Sequence, residues 1–178
     1  MTAELALGTY RCRAIPEAAA HAVASGARWI DTAPNYSAGQ AQRMLADVLA
    51  AHPTVQISTK VGFFTVATAA AAVDAGVLTA DQARARHSLA PAYVRWQVDR
   101  NRAELRRERL DLVLLHNPER AHHGDRAGLY RAIREAFAVL EEEAAAGRLA
   151  GYGVATWDGF DGAFTVPLLR ALATEAAG

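Results

Sequence analysis

The chain has 178 residues, 52% hydrophobic and 21% charged, with 19 basic residues balanced by 19 acidic ones. This is the composition of a folded globular chain, and its zero net charge argues against a dedicated nucleic-acid surface or a polybasic membrane patch. A single cysteine, Cys12, excludes an internal disulfide and a cysteine-built zinc site.

No apolar run approaches the ~18 residues of a membrane span. The first ten residues carry no basic segment leading into an apolar one, so the expected compartment is the cytoplasm. The length suits one domain over residues 1–178. Of the 19 basic residues 18 are arginine, and Lys60 is the one lysine. A chain that uses arginine wherever either base serves keeps a lysine by chance, or where a compact, titratable point charge is needed.

Strand and helix patterns alternate along the chain. A short apolar strand ends at Gly8, and Pro16 opens an Ala-rich helix stopped at Gly26. Residues 28–31 read as a buried strand, followed by a Pro/Asn/Ser/Gly loop. Residues 40–51 carry Met44, Leu45, Val48 and Leu49 at helical spacing, and residues 55–61 form a β-branched strand. The stretch 62–89 is the least regular, with an Ala run and a short helix expected near 79–86. Ser88 is placed as an N-cap, with Pro91 in the first turn of a helix running to about Arg107 whose charges form a solvated face. Residues 110–116 form a near-continuous apolar strand, as in a parallel sheet buried on both faces. An amphipathic helix over 129–146, a fifth strand over 149–155 and a helix over 166–176 complete the pattern.

Five strand–helix units imply parallel crossovers, in either a doubly wound open sheet or a (β/α) barrel. Residues 8–12 contain no G-x-G-x-x-G, and no Walker loop occurs.

In a β/α barrel, chemistry sits where strands end. The polar residues there are Asp31 and, five residues on, Tyr36, then Lys60, then His116. Each alone has an ordinary structural explanation: a turn-forming Asp, a loop Tyr, a core His. Together they make an acid–base set for a carbonyl or alcohol oxygen, with an ammonium lowering the phenol's pKa and a carboxylate keeping the ammonium charged. No nucleophile is evident.

Residues 29–36 (WIDTAPNY), 57–62 (ISTKVG) and 110–118 (LDLVLLHNP) resemble the aldo-keto reductases, and residues 7–10 (LGTY) and 147–154 (GRLAGYGV) fit the same pattern. The resemblance extends from about residue 7 to 172. It implies a partial TIM-type (β/α) barrel, about five of eight units, and NADPH-dependent reduction of a small-molecule carbonyl. By the same resemblance, Tyr36 is the proton donor, Lys60 lowers its pKa, Asp31 pairs with Lys60 and His116 orients the carbonyl. Thr9, Tyr10, Asn117 and Thr156 fall at cofactor-binding positions; Ala155 and Thr156 stand where relatives carry a Ser-Asn pair for the nicotinamide amide. The family's strands six to eight, which carry most of its cofactor grip, have no counterpart here.

Phe63 and Phe64 line a substrate pocket or pack the long loop, and Trp157 walls the pocket or packs. His122 and His123 read as a solvated loop rather than a metal site, and Glu141, Glu142 and Glu143 as exposed helix surface. Five units leave two sheet edges to be covered by self-association or a partner chain. Two other functions fit the same residues: a cofactor-independent lyase, dehydratase or isomerase, and a non-catalytic binding subunit.

Overall fold

The computed structural model describes residues 5–121 and 124–178. Five strands, β1 (Ala6–Gly8), β2 (Trp29–Asp31), β3 (Gln56–Val61), β4 (Leu112–His116) and β5 (Tyr152–Ala155), form one sheet in the order β1-β2-β3-β4-β5, every pair parallel. Strands added in sequence order on one edge are the winding of a barrel; a doubly wound sheet would reverse direction in its middle. The helices follow suit: α1 (Ile15–Ala24), α2 (Ala41–Ala51), α5 (Pro91–Leu105), α6 (Arg126–Ala145) and α7 (Val166–Ala177) pack each on the next.

The strands alternate between two faces. Ile30, Ile57, Val61, Val113 and Leu115 are buried with the core side chains of the helices, among them Leu45, Val98, Ile133 and Leu140. Asp31, Leu112 and Leu114, which alternate with them, are only half-buried, so β4 is not sealed on both faces despite its apolar sequence. The ladder is also shorter than the apolar runs. Before β4, the Asp111 carboxylate accepts the Ile57 amide at 2.9 Å, and towards β5 Leu110 and Leu149 form an isolated parallel bridge.

The irregular stretch after β3 is a stapled excursion. It contains α3 (Val66–Asp74), capped by Thr65, and α4 (Ala80–Arg84), where Thr79 and Gln82 form a reciprocal capping box. Its base is closed by an antiparallel bridge between Phe63 and His87 and by Ser88 N–H donating to Gly62 O at 3.0 Å. An Ala run reads weakly as a helix beside so many Gly and Thr residues, and α3 escaped the periodic pattern for that reason.

Two local expectations are corrected and one is refined. Ala90, not Ser88, precedes α5; the Ser88 hydroxyl instead accepts the Ala90 amide at 3.1 Å, and Pro91 opens the helix. The charged residues of α5 are exposed or half-buried, as expected, but its uncharged polar residues Gln97 and Asn101 are fully buried against α2 and β3. Glu143 is not surface: it is 1% exposed, held between Arg95 and Arg148.

A buried amide relay ties α2 and α5 to β3. Thr59 Oγ1 donates to Gln42 Oε1 (2.6 Å), Gln42 Nε2 donates to Asn101 Oδ1 (3.0 Å), and Asn101 Nδ2 donates to Lys60 O (2.9 Å).

Candidate active site

The C-terminal ends of the strands bring Asp31, Lys60 and His116 to one rim, with Tyr36 above them on a 3-10 turn, Tyr36–Gly39, that follows β2. Lys60 Nζ donates to Asp31 Oδ2 at 2.8 Å and to Thr32 O at 2.8 Å. The other carboxylate oxygen of Asp31 accepts the Ser58 hydroxyl at 2.7 Å, and Ser58 in turn accepts the Trp29 indole N–H at 3.1 Å. These bonds fix the ammonium by both its partners. It lies 4.9 Å from the centroid of the Tyr36 ring, on the ring rather than on the hydroxyl.

Burial lowers the Lys60 pKa below its ordinary value, with Asp31 opposing the shift. Tyr36 is pushed up to about 12, chiefly by burial and then by the Asp31 carboxylate and Tyr10. Burial thus outweighs whatever Lys60 contributes to the acidity of Tyr36 in this state. The phenol is therefore protonated around pH 7.

His116 sits edge-on to Tyr36 (ring centroids 6.0 Å apart) and to Phe63 (5.2 Å). Burial, then the charge of Lys60, pulls its pKa down to about 3, so the imidazole is neutral around pH 7. Its Nδ1 is buried with no hydrogen-bond partner among the described residues. Beneath it lies a residue that sequence reasoning missed. His87, from the base of the α3–α4 excursion, is buried with its Nε2 2.9 Å from His116 O and its ring 4.8 Å from that of Phe63. Gly62 makes this approach feasible, since a Cβ there would stand 2.9 Å from His87 Nε2. No sequence signal marks His87, because the 24 residues of the excursion, 63–86, separate it from Gly62, which it meets in space.

These groups open onto a cavity of about 340 Å³ lined by Tyr10, Asn35, Tyr36, Phe63, His116, Asn117, Arg120 and Trp157. Tyr10, after β1, is 5.2 Å from Tyr36 and 6.5 Å from Trp157, which follows β5. The loops of the two edge strands thus meet across the rim, and all five units contribute a wall. Asn117, in the left-handed region at φ 47°, lines the cavity while its Oδ1 accepts the Trp157 amide at 3.2 Å. Asn35 Oδ1 is buried with no partner among the described residues. Asn35 and Arg120 were both missed, although Asn35 lies inside the 29–36 motif.

Three residues expected to bind cofactor or substrate do not line this cavity. Phe64 is 3% exposed and packs with Ala69, Leu78 and Tyr93 in a separate small core, because the chain turns over between it and Phe63. Thr9 is fully buried below the rim, within 3.0 Å of Asp31 O and 2.9 Å of Thr32 Oγ1. The Thr156 hydroxyl accepts the Gly159 amide at 2.8 Å, which starts a 3-10 turn. His122 and His123 lie outside the described residues. Among the described residues there is no cluster of three metal-ligating side chains, and no helix is long and apolar enough to cross a membrane.

A sequential β/α sheet with a Lys–Asp pair, a Tyr and a His converging on one rim defines the class. Residues 9–162 match the aldo/keto reductase family, and the chain belongs to it. Solved structures share the fold. They include a glycerol dehydrogenase from Gluconobacter oxydans (21% identity, TM-score 0.62, covering 97% of this chain and 48% of that one). An aldose reductase from Giardia lamblia is similar (21% identity, TM-score 0.61, covering 96% and 53%), as is the holo form of an aldo-keto reductase from Bacillus halodurans (19% identity, TM-score 0.61, covering 86% and 46%). The chain spans about half the length of these structures. No curated protein sequence matches it.

Proposed function

We propose that this chain carries the acid–base half of a nicotinamide-dependent carbonyl reductase, with Tyr36 as proton donor. The observation that carries the reading is the Lys60–Asp31 pair, 2.8 Å apart, set against the Tyr36 ring while His116 faces the same cavity.

The residues present fit the nicotinamide end of an NADP cofactor. The cavity has aromatic walls in Tyr10 and Trp157, and the orphaned Asn35 Oδ1 would accept a carboxamide N–H, with Asn117 beside it. Bound there, the reduced nicotinamide supplies a hydride. The protein's own groups act on the oxygen. Neutral His116 donates a hydrogen bond that holds the carbonyl oxygen towards Tyr36. Tyr36 keeps its proton until negative charge develops on that oxygen, then gives it up. Lys60, fixed by Asp31 and Thr32, stabilises the phenolate left behind. The high pKa of Tyr36 before reaction suits a donor that must not lose its proton to water.

One observation favours a second reading. Thr156 does not line the cavity, so the amide contact that the resemblance places there is not offered to it, and the same Tyr36, Lys60 and His116 could run a cofactor-free dehydration or isomerisation beside a carbonyl.

Calorimetric titration with NADPH, followed by assay of aldehyde reduction, separates the two. Saturable NADPH binding, with reduction lost in Tyr36→Phe while the circular dichroism is unchanged, is the expected result. Turnover without NADPH binding favours the second reading, and an active, folded Tyr36→Phe variant overturns both.

A further inference from the structure

The cavity's polar inventory is lopsided. Among its lining residues only Arg120 carries a formal charge, since His116 is held neutral. No carboxylate lines it: Asp31 is below, paired with Lys60, and Glu119 lines a different hollow with Asp158. The rest of the wall is largely aromatic, with Tyr10, Tyr36, Phe63 and Trp157.

Arg120 is also placed rather than merely nearby. It ends a 3-10 turn, Pro118–Arg120, that begins directly after Asn117, and its N–H donates to Asn117 O at 3.1 Å. Its guanidinium lies 5.7 Å from the centroid of Phe63, the ring that also contacts His116. Among the described residues the guanidinium makes no ion pair and no hydrogen bond, whereas Arg43, Arg95, Arg106 and Arg148 are each matched to a carboxylate. Its charge reaches inward far enough to help lower the pKa of His87. A forked cation held over an aromatic face, with its donors unspent and a neutral apolar chamber beside it, is suited to a planar anion.

We propose that Arg120 makes this cavity selective for carbonyl compounds that carry a carboxylate on a flat, apolar body. The proposal rests on the reading that the cavity receives a carbonyl substrate. The carbonyl oxygen lies at Tyr36 and His116, the body lies among the aromatic rings, and the carboxylate meets Arg120 at the mouth.

Two probes of equal size test it: 4-carboxybenzaldehyde and its neutral counterpart 4-formylbenzamide, each titrated by calorimetry into the wild-type chain, Arg120→Lys and Arg120→Gln. The wild type is expected to bind the carboxylate about fivefold or more tightly than the amide. Arg120→Gln brings the ratio to about one, and Arg120→Lys restores part of it without the forked geometry. Raising the ionic strength shrinks the wild-type ratio by screening. Equal binding of the two probes, binding of neither, or a preference that survives Arg120→Gln overturns the proposal. A phosphate of the cofactor is the other source of an oxyanion that a guanidinium can grip through two oxygens. If Arg120→Gln weakens NADPH and leaves the probe ratio intact, Arg120 serves the cofactor and the proposal fails. Because these are binding measurements, they stand apart from turnover. Selectivity without NADPH-dependent reduction sinks the reductase reading and keeps this one; reduction without selectivity does the reverse.

Discussion

The Lys60 ammonium lies against the Tyr36 ring, 4.9 Å from its centroid, while its hydrogen bonds go to Asp31 and Thr32. Position, not proton sharing, links the two residues in this state. A compact charge held by two acceptors needs a side chain that narrows to one nitrogen. Lys60→Arg must force a planar fork into a site where only 5% of Lys60 is exposed, and Lys60→Met leaves Asp31 without its cation. Both are expected to lower carbonyl reduction ~100-fold or more. Lys60→Met should cost about 1–2 kcal/mol in urea unfolding, below the usual figure for a buried pair because Asp31 is partly solvated. A Lys60→Arg variant as active as wild type counts against the role given to the ammonium.

Stability should fall on mild acidification. His116 and His87 have pKa values lowered from 6.5 to about 3 and about 4, so the folded chain resists protonation that the unfolded chain accepts. Their contribution is fully present above pH 6.5 and is lost as pH falls from there towards 4. The slope from these two groups approaches about 2.7 kcal/mol per pH unit, one proton each. Urea unfolding at intervals between pH 7 and 4.5 measures it, and His87→Gln should remove about half of the slope. A flat profile contradicts the burial of both rings.

Just after Tyr36, two non-glycine residues adopt left-handed backbone, Ser37 at φ 49° and Ala38 at φ 53°. That conformation costs a residue with a Cβ about 1 kcal/mol or more. Ala38→Gly is expected to raise stability by about 1 kcal/mol, less the glycine's own entropic penalty, in thermal or urea unfolding. Loss of stability in that variant contradicts the strained turn that presents Tyr36.

Glu143 joins α6 to Arg95 of α5 and to Arg148 before β5, with contacts of 2.9 Å to Arg95 Nη1 and 2.8 Å to Arg148 Nη2. The arginines hold its carboxyl below the usual range. Glu143→Gln should lower stability by about 1–3 kcal/mol, because a buried acceptor for two cations is replaced by an amide. Glu142→Gln, at an exposed carboxylate, should cost about 0.5 kcal/mol or less. Equal effects of the two changes contradict the burial of Glu143.

What could be read from the sequence divides along physical lines. The order of strands and helices was legible because hydrophobic period is local, and the open doubly wound alternative needed only the strand order to be set aside. The reactive set was legible because Asp31, Lys60 and His116 each fall at or next to the C-terminal end of a strand. What was hidden depends on contacts distant in sequence. Phe63 and Phe64 are adjacent in the chain, yet one lines the cavity and the other packs in a separate small core, and nothing local says which faces the site. Glu141, Glu142 and Glu143 look alike until packing buries Glu143 between Arg95 and Arg148, while Glu142 meets Arg95 at the surface. His87 reaches His116 only after α3 and α4 have folded back, and the burial of Thr9 follows from its contacts with Asp31 and Thr32 across two strands.

The relay behind β3 bears on how the chain avoids docking its helices wrongly. Greasy faces of α2 and α5 would tolerate sliding by a turn, since one aliphatic contact substitutes for another. Gln42, Gln97 and Asn101 do not tolerate it: each is 1% exposed or less, and its partners sit at single positions, Thr59 Oγ1, Tyr93 Oη and Lys60 O among them. A slipped helix strands several of these amides at about 1–3 kcal/mol apiece. The polar layer thus acts as a proofreading device in folding. It rejects near-miss arrangements that the oily core would accept, and its last link is the backbone of Lys60, whose ammonium pairs with Asp31 at the rim.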